Sequence, residues 1–138
     1  MEQKSNWRFQ SNEQHTIYIV DDHDMLQIGL KNFLESKVIG TAKTIDSTKA
    51  ILDSQLPDLI IIDVELANEN GFDLAAYIKT TFPDLKIVMY SMHDENDYIL
   101  KAKELKIDGY ISKASEHKEY LFRQFLYRRK IDSESKSN

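Results

Sequence analysis

At 138 residues the chain is one domain's worth, enough to bury a core without a metal or disulfide to staple it. Its net charge of −5 argues against a body that grips nucleic acid, because affinity for phosphates comes chiefly from Lys and Arg. The absence of cysteine excludes disulfides, thiolate metal sites and cysteine catalysis.

Residues 1–15 read as a flexible polar tail rich in Gln, Asn, Ser and Glu. Trp7 and Phe9 stand out in it: loose packing on the body is the plain reading, a hook for a partner the sharper one. A folded body is expected over residues 16–130, followed at 131–138 by a polar, Ser-rich tail or the start of a linker. No apolar stretch approaches the roughly 20 residues that span a bilayer, and the N-terminus lacks the apolar middle of a signal peptide. A cytoplasmic protein with no membrane partner is expected.

Five short apolar runs mark strands: Ile17-Tyr18-Ile19-Val20, Val38-Ile39, Leu59-Ile60-Ile61-Ile62, Ile87-Val88-Met89-Tyr90 and Tyr110-Ile111. The first, third and fourth are too uniformly apolar for a half-exposed sheet and predict strands buried on both faces. Between them lie helical patterns. Leu26, Leu30, Phe33 and Leu34 share one face of a first helix. Asp46 or Ser47 can cap a second helix running to Gln55. Leu74, Ala75, Ile78 and Phe82 mark a third, stopped by Pro83. Ile99, Ala102 and Leu105 mark a fourth, and Leu121, Phe122, Phe125 and Leu126 a fifth. Strands alternating with helices predict an α/β fold, a flavodoxin-like (βα)5 doubly wound parallel sheet of strand order 2-1-3-4-5.

In open sheets of this kind ligands bind beyond the carboxyl ends of the strands. There the sequence places Asp21-Asp22, Asp63, Ser91 and Lys113. Any one of them alone reads as a turn, a cap or a solvated side chain; together, each past a separate strand end or just beyond it, they point to a single site. Three carboxylates repel unless they hold a cation, and hard oxygen ligands without His or Cys suit Mg²⁺. A carboxylate beside a bound cation can attack phosphorus, with a hydroxyl and an ammonium to hold the transferred oxygens.

The segments Ile19-Val20-Asp21-Asp22-His23, Leu59-Ile60-Ile61-Ile62-Asp63-Val64, Val88-Met89-Tyr90-Ser91-Met92-His93 and Gly109-Tyr110-Ile111-Ser112-Lys113 closely resemble response-regulator receiver domains of two-component systems. They are most similar to the subfamily that couples a receiver to a LuxR-type helix-turn-helix. The resemblance implies that Asp63 accepts a phosphoryl group from a sensor histidine kinase. It implies Mg²⁺ ligation by Asp22, Asp63 and the Glu65 backbone carbonyl, with Asp21 acting through water. Ser91 and Lys113 would bind phosphoryl oxygens, Ser91 and Tyr110 would form the switch, and the fourth helix, fifth strand and fifth helix would display it, with a homodimer as one outcome. The output would be transcription, reaching DNA only through a further domain. Such a domain is a phosphoacceptor rather than an enzyme, with at most slow autophosphatase activity.

Two departures from the pattern stand out. Leu66-Ala67 replaces a common Met-Pro, which predicts a looser loop, with Gly71 at its far end supplying a positive φ. Ala114 replaces a common Pro, so a cis bond after Lys113 is not expected. Glu65, Met92 and His93 flank the route to the acceptor and are expected to modulate the lifetime of the phosphorylated state. His23 and His93 tempt a metal reading, but capping or surface roles are favoured. Arg123, Arg128, Arg129 and Lys130 complement the end of the fifth helix or form a contact face.

Asp22-His23-Asp24 also fits the Asp-x-Asp signature of haloacid-dehalogenase-like Mg²⁺-dependent phosphatases, but the acidic order along the chain is reversed and no cap domain fits. A non-phosphorylated pseudo-receiver would have lost part of the acidic set. A flavin-binding flavodoxin would need a hydroxyl-rich loop where Asp21-Asp22 stands.

Overall fold

A computed structural model describes residues 16–23, 38–92 and 96–116. Five parallel strands form the sheet: β1 (Ile17–Val20), β2 (Val38–Ala42), β3 (Leu59–Asp63), β6 (Lys86–Ser91) and β7 (Gly109–Ser112). Their order is β2-β1-β3-β6-β7, the flavodoxin-like order expected. Two further strands, β4 (Glu65–Leu66) and β5 (Glu69–Asn70), pair as a small antiparallel ladder where the sequence reading has a loop. The described helices are α1 (Ile45–Ser54), α2 (Gly71–Thr81) and α3 (Asn96–Glu104). The residues expected to form the first and fifth helices, both tails, and the Arg123 to Lys130 cluster lie outside the described residues.

Unbroken apolar runs give strands buried on both faces. Every residue of β1 and β3 is buried, and so are all of β6 except Lys86. Because side chains alternate across a strand, the runs feed two cores at once. Tyr18, Val20, Ile60, Ile62 and Met89 join Leu52 of α1, Leu74, Ala75 and Ile78 of α2, and Ala102 of α3. Ile17, Ile19, Leu59, Ile61, Val88 and Tyr90 gather with Ile111 in the other cluster. A fully buried Ile or Leu stabilises by roughly 1.5–3 kcal/mol, so these strands are the main source of cohesion.

Local chemistry sets the helix starts. Thr44, not Asp46 or Ser47, caps α1: its side chain accepts from the Ser47 N–H while the Ser47 hydroxyl accepts from the Thr44 N–H. Ser47 thus sits one turn inside, the reciprocal partner of the cap. Asn70 caps α2 by accepting from the Phe72 N–H at 2.8 Å. The helix stops at Thr81, with Phe82 at its C-cap ahead of Pro83, as expected of a residue that cannot continue a helix.

Candidate functional site

Parallel register brings the carboxyl ends of β1, β3, β6 and β7 to one edge, beside the crevice where the chain order reverses between β2-β1 and β3. Asp21 follows β1 directly and is anchored by its N–H to the Ala42 carbonyl. Asp63 is the last residue of β3, and Ser91 the last of β6. Lys113 follows β7, and its N–H donates to the Ser91 carbonyl at 2.7 Å.

The side chains of Asp21, Asp63 and Lys113 meet as the sequence predicts. The Lys113 ammonium donates to Asp63 Oδ2 at 2.8 Å and to Asp21 Oδ2 at 3.3 Å. All three residues are buried, with 7%, 2% and 1% exposure respectively, so the contacts act in low dielectric. Asp63 Oδ1 accepts from the Glu65 N–H at 3.0 Å, while the Glu65 side chain points to solvent. Burial raises the Asp63 carboxyl above the ordinary carboxylate range, outweighing the Lys113 and Glu65 hydrogen bonds that favour its charge. Lys113 also lies 5.2 Å from the centroid of the Tyr90 ring, within cation–π range. Burial, with the Asp21 and Asp63 charges behind it, pushes the Tyr90 hydroxyl up to about 12.

Ser91 is fully buried at its strand end. Tyr110 is half-buried and packs against the larger core cluster. Met92 is 60% exposed beside Ser91, and His93 lies outside the described residues. The described residues contain no cis peptide bond.

One expectation about the loop after Asp63 needs correction. Gly71 does not supply a positive φ, for no glycine among the described residues has one. It permits close approach instead: a Cβ there would lie 2.1 Å from the Asp63 carbonyl oxygen. The loop is tied down at several points without Met-Pro. It closes as the β4–β5 ladder, the Gly71 N–H donates to the Val64 carbonyl, and the Ala67 N–H donates to Asp22 Oδ2 at 2.7 Å. Glu69 Oε1 accepts from the Ile45 N–H at the start of α1. The Ala67 bond depends on the departure itself, because a proline there would have no N–H to give.

His23 is the residue whose place at the centre the sequence does not reveal. Its Nδ1 stands 3.0 Å from Asp21 Oδ1, 3.1 Å from Asp22 Oδ1 and 3.6 Å from Asp63 Oδ2. Its backbone N–H also donates to Asp21 Oδ1, so there it is Asp21 that caps the turn rather than His23. The hydrogen bond to Asp21, reinforced by the charges of Asp22 and Asp21, raises the imidazole above its ordinary value. The only signal in the sequence is position: two residues past a strand-end Asp.

The donor set fits a divalent cation. Asp21, Asp22 and Asp63 supply hard carboxylate oxygens close together, and Asp22 Oδ1 is buried without a hydrogen-bond partner.

Residues 17–123 match the family described as the response regulator receiver domain. The chain belongs to that family. It is a receiver domain of two-component response regulators, a signalling domain in which the acidic cluster sits at the strand ends. This receiver is 26% identical over 101 residues to the transcriptional regulatory protein DegU of Brevibacillus brevis, across 70% of the chain and 43% of that protein. It is 27% identical over 103 residues to the response regulator protein VraR of Staphylococcus saprophyticus, across 72% of the chain and 49% of that protein. The chain thus spans about half the length of the curated relatives it matches. Its fold resembles that of a LuxR-family two-component response regulator from Aurantimonas sp. SI85-9A1, with TM-score 0.75 and 24% identity over 83% of this chain and 86% of that one. It also resembles a CheY-like receiver domain protein from Methanospirillum hungatei JF-1, with TM-score 0.73 and 20% identity over 86% of this chain and 98% of that one. Among the described residues no helix is long and apolar enough to cross a membrane.

Proposed function

We propose that Asp63 accepts a phosphoryl group from the phosphohistidine of a sensor kinase and that the receiver changes conformation in response, controlling transcription through an output domain. The observation that carries this reading is the Lys113–Asp63–Asp21 contact in a buried acidic cluster beside Asp22. An Asp63 carboxylate oxygen forms the new P–O bond as the donor's P–N bond breaks, and the departing imidazole keeps the electron pair. Asp22, Asp63 and the Glu65 carbonyl would hold Mg²⁺, with Asp21 acting through water; when bound, the cation neutralises charge on the transferred oxygens. Lys113 and Ser91 would each bind a phosphoryl oxygen. The adduct brings up to about two negative charges and three acceptors to the Ser91 hydroxyl, which would draw that side chain inward and let Tyr110 follow. The α3 and β7 surface, with the fifth helix expected from the sequence, would carry the readout and a homodimer contact. DNA would be reached only through the output domain.

Catalytic turnover is not the role proposed; hydrolysis of the adduct by water is at most slow. Exposed Glu65 and Met92, with His93, would set its rate by crowding the approach to Asp63. Incubation with Mg²⁺ and acetyl phosphate tests the main reading. A stoichiometric, alkali-labile adduct, lost in Asp63→Asn, supports it, and sustained phosphate release in place of an adduct overturns it in favour of a phosphatase. Decay of phospho-Asp63 in Glu65→Asn and Met92→Ala tests the second point, and unchanged half-lives discard it.

A further inference from the structure

His23 plays no part in the phosphoryl chemistry proposed above, yet its imidazole closes the acidic cluster. One donor atom each from Asp21, Asp22, His23 and Asp63 lies within 4.8 Å of all the others. A hydrogen bond accounts for the approach of Nδ1 to Asp21. An ion pair draws it to 3.1 Å from Asp22 Oδ1, a buried oxygen without a hydrogen-bond partner that a cation could use in its place. Two atoms bound side by side to one octahedral cation, each at about 2.1 Å, stand about 3.0 Å apart. The imidazole nitrogen therefore keeps the spacing of a neighbouring ligand from two of the three carboxylates. The ring is 56% exposed, so it has room to adjust around an ion.

We propose that His23 Nδ1 is a nitrogen ligand of the cation site, giving this receiver a selectivity for borderline divalent cations such as Co²⁺ and Zn²⁺ beyond what its carboxylates supply. The chemistry follows from ligand class: imidazole suits Zn²⁺ and its neighbours, whereas carboxylate, carbonyl and water suit Mg²⁺. The inference rests on reading the cluster as the receiver's cation site.

The test is calorimetric titration of the full chain with MgCl₂ and, separately, CoCl₂, in wild type, His23→Ala and His23→Asn. The visible absorption of bound Co²⁺ is followed in parallel, and displacement by excess Mg²⁺ separates ions in this site from ions on other histidines. Loss of an outer partner of a ligand already weakens metal binding by about 10- to 100-fold, so loss of the ligand itself is expected to cost Co²⁺ at least about tenfold. Mg²⁺ affinity is expected to be kept, and the Mg²⁺-displaceable Co²⁺ spectrum to change. If Mg²⁺ binds all three proteins while Co²⁺ affinity is unchanged, or both affinities fall by the same factor, His23 is only a hydrogen-bond partner of Asp21 and the inference fails alone. If wild type binds neither ion, the cation reading fails and takes this inference with it.

Discussion

Lys113 and Asp63 meet at 2.8 Å in a space from which both are almost wholly hidden from water. The same ammonium reaches Asp21, so one cation serves two buried carboxylates. Removing it takes from both the ammonium they share, and breaking a buried pair from one side typically costs 3–5 kcal/mol. Lys113→Met is expected to lose about 3 kcal/mol in urea denaturation at neutral pH without divalent ions. An unchanged midpoint would show that the pair contributes nothing to stability.

The opposite change removes a buried charge. Burial raises the Asp63 carboxyl, so its ionised form costs stability in the fold; that cost is absent below the ordinary carboxyl value and grows as pH rises through the raised one. Asp63→Asn carries no such cost. Its Tm without divalent ions is expected to exceed wild type at neutral pH. The gain should shrink as the pH is lowered toward about 4. A gain that grows on acidification contradicts this account.

Gly71 sits under the Asp63 carbonyl with no space for a methyl group. Gly71→Ala is expected to cost roughly 3 kcal/mol, at the upper end for overpacking, because the obstructing atom is backbone. It should also slow acetyl-phosphate labelling by displacing Asp63. Wild-type stability and labelling together would show that the loop yields easily.

Ala67 offers Asp22 an N–H that a proline lacks. Ala67→Pro is expected to free Asp22 Oδ2 and raise Mg²⁺ affinity by roughly fivefold, equivalent to about 1 kcal/mol of hydrogen bond no longer competing. Calorimetry decides it: unchanged or weaker binding means the bond positions Asp22 for the cation rather than competing with it.

The strands and the site were legible because they rest on strong, local signals. Leu59 to Ile62 admits no exposed face, and acidic residues directly after such runs must fall at one end of a parallel sheet. The β4–β5 ladder was not legible, since Glu65, Leu66, Glu69 and Asn70 have no strand periodicity and pair only because both ends are held by neighbours. Thr44 was passed over as a cap because Asp46 and Ser47 are equally good capping types, and the choice depends on where β2 releases the chain. The role of Gly71 was misread for a similar reason: a glycine's sequence does not tell positive φ from close approach. His23 was underrated because its neighbours at Asp63 come from 40 residues downstream.

The β4–β5 hairpin and the residue that follows it touch three other parts of the chain: Asp22 through Ala67, the start of α1 through Glu69, and the end of β3 through Gly71 at the start of α2. The hairpin's length is therefore fixed by a triangle of anchors rather than by the turn itself. A single inserted or deleted residue between 65 and 70 cannot satisfy all three. Tags, reporters or new termini for engineering this domain belong elsewhere, even though the tip of this hairpin is exposed and looks like an obvious place to cut.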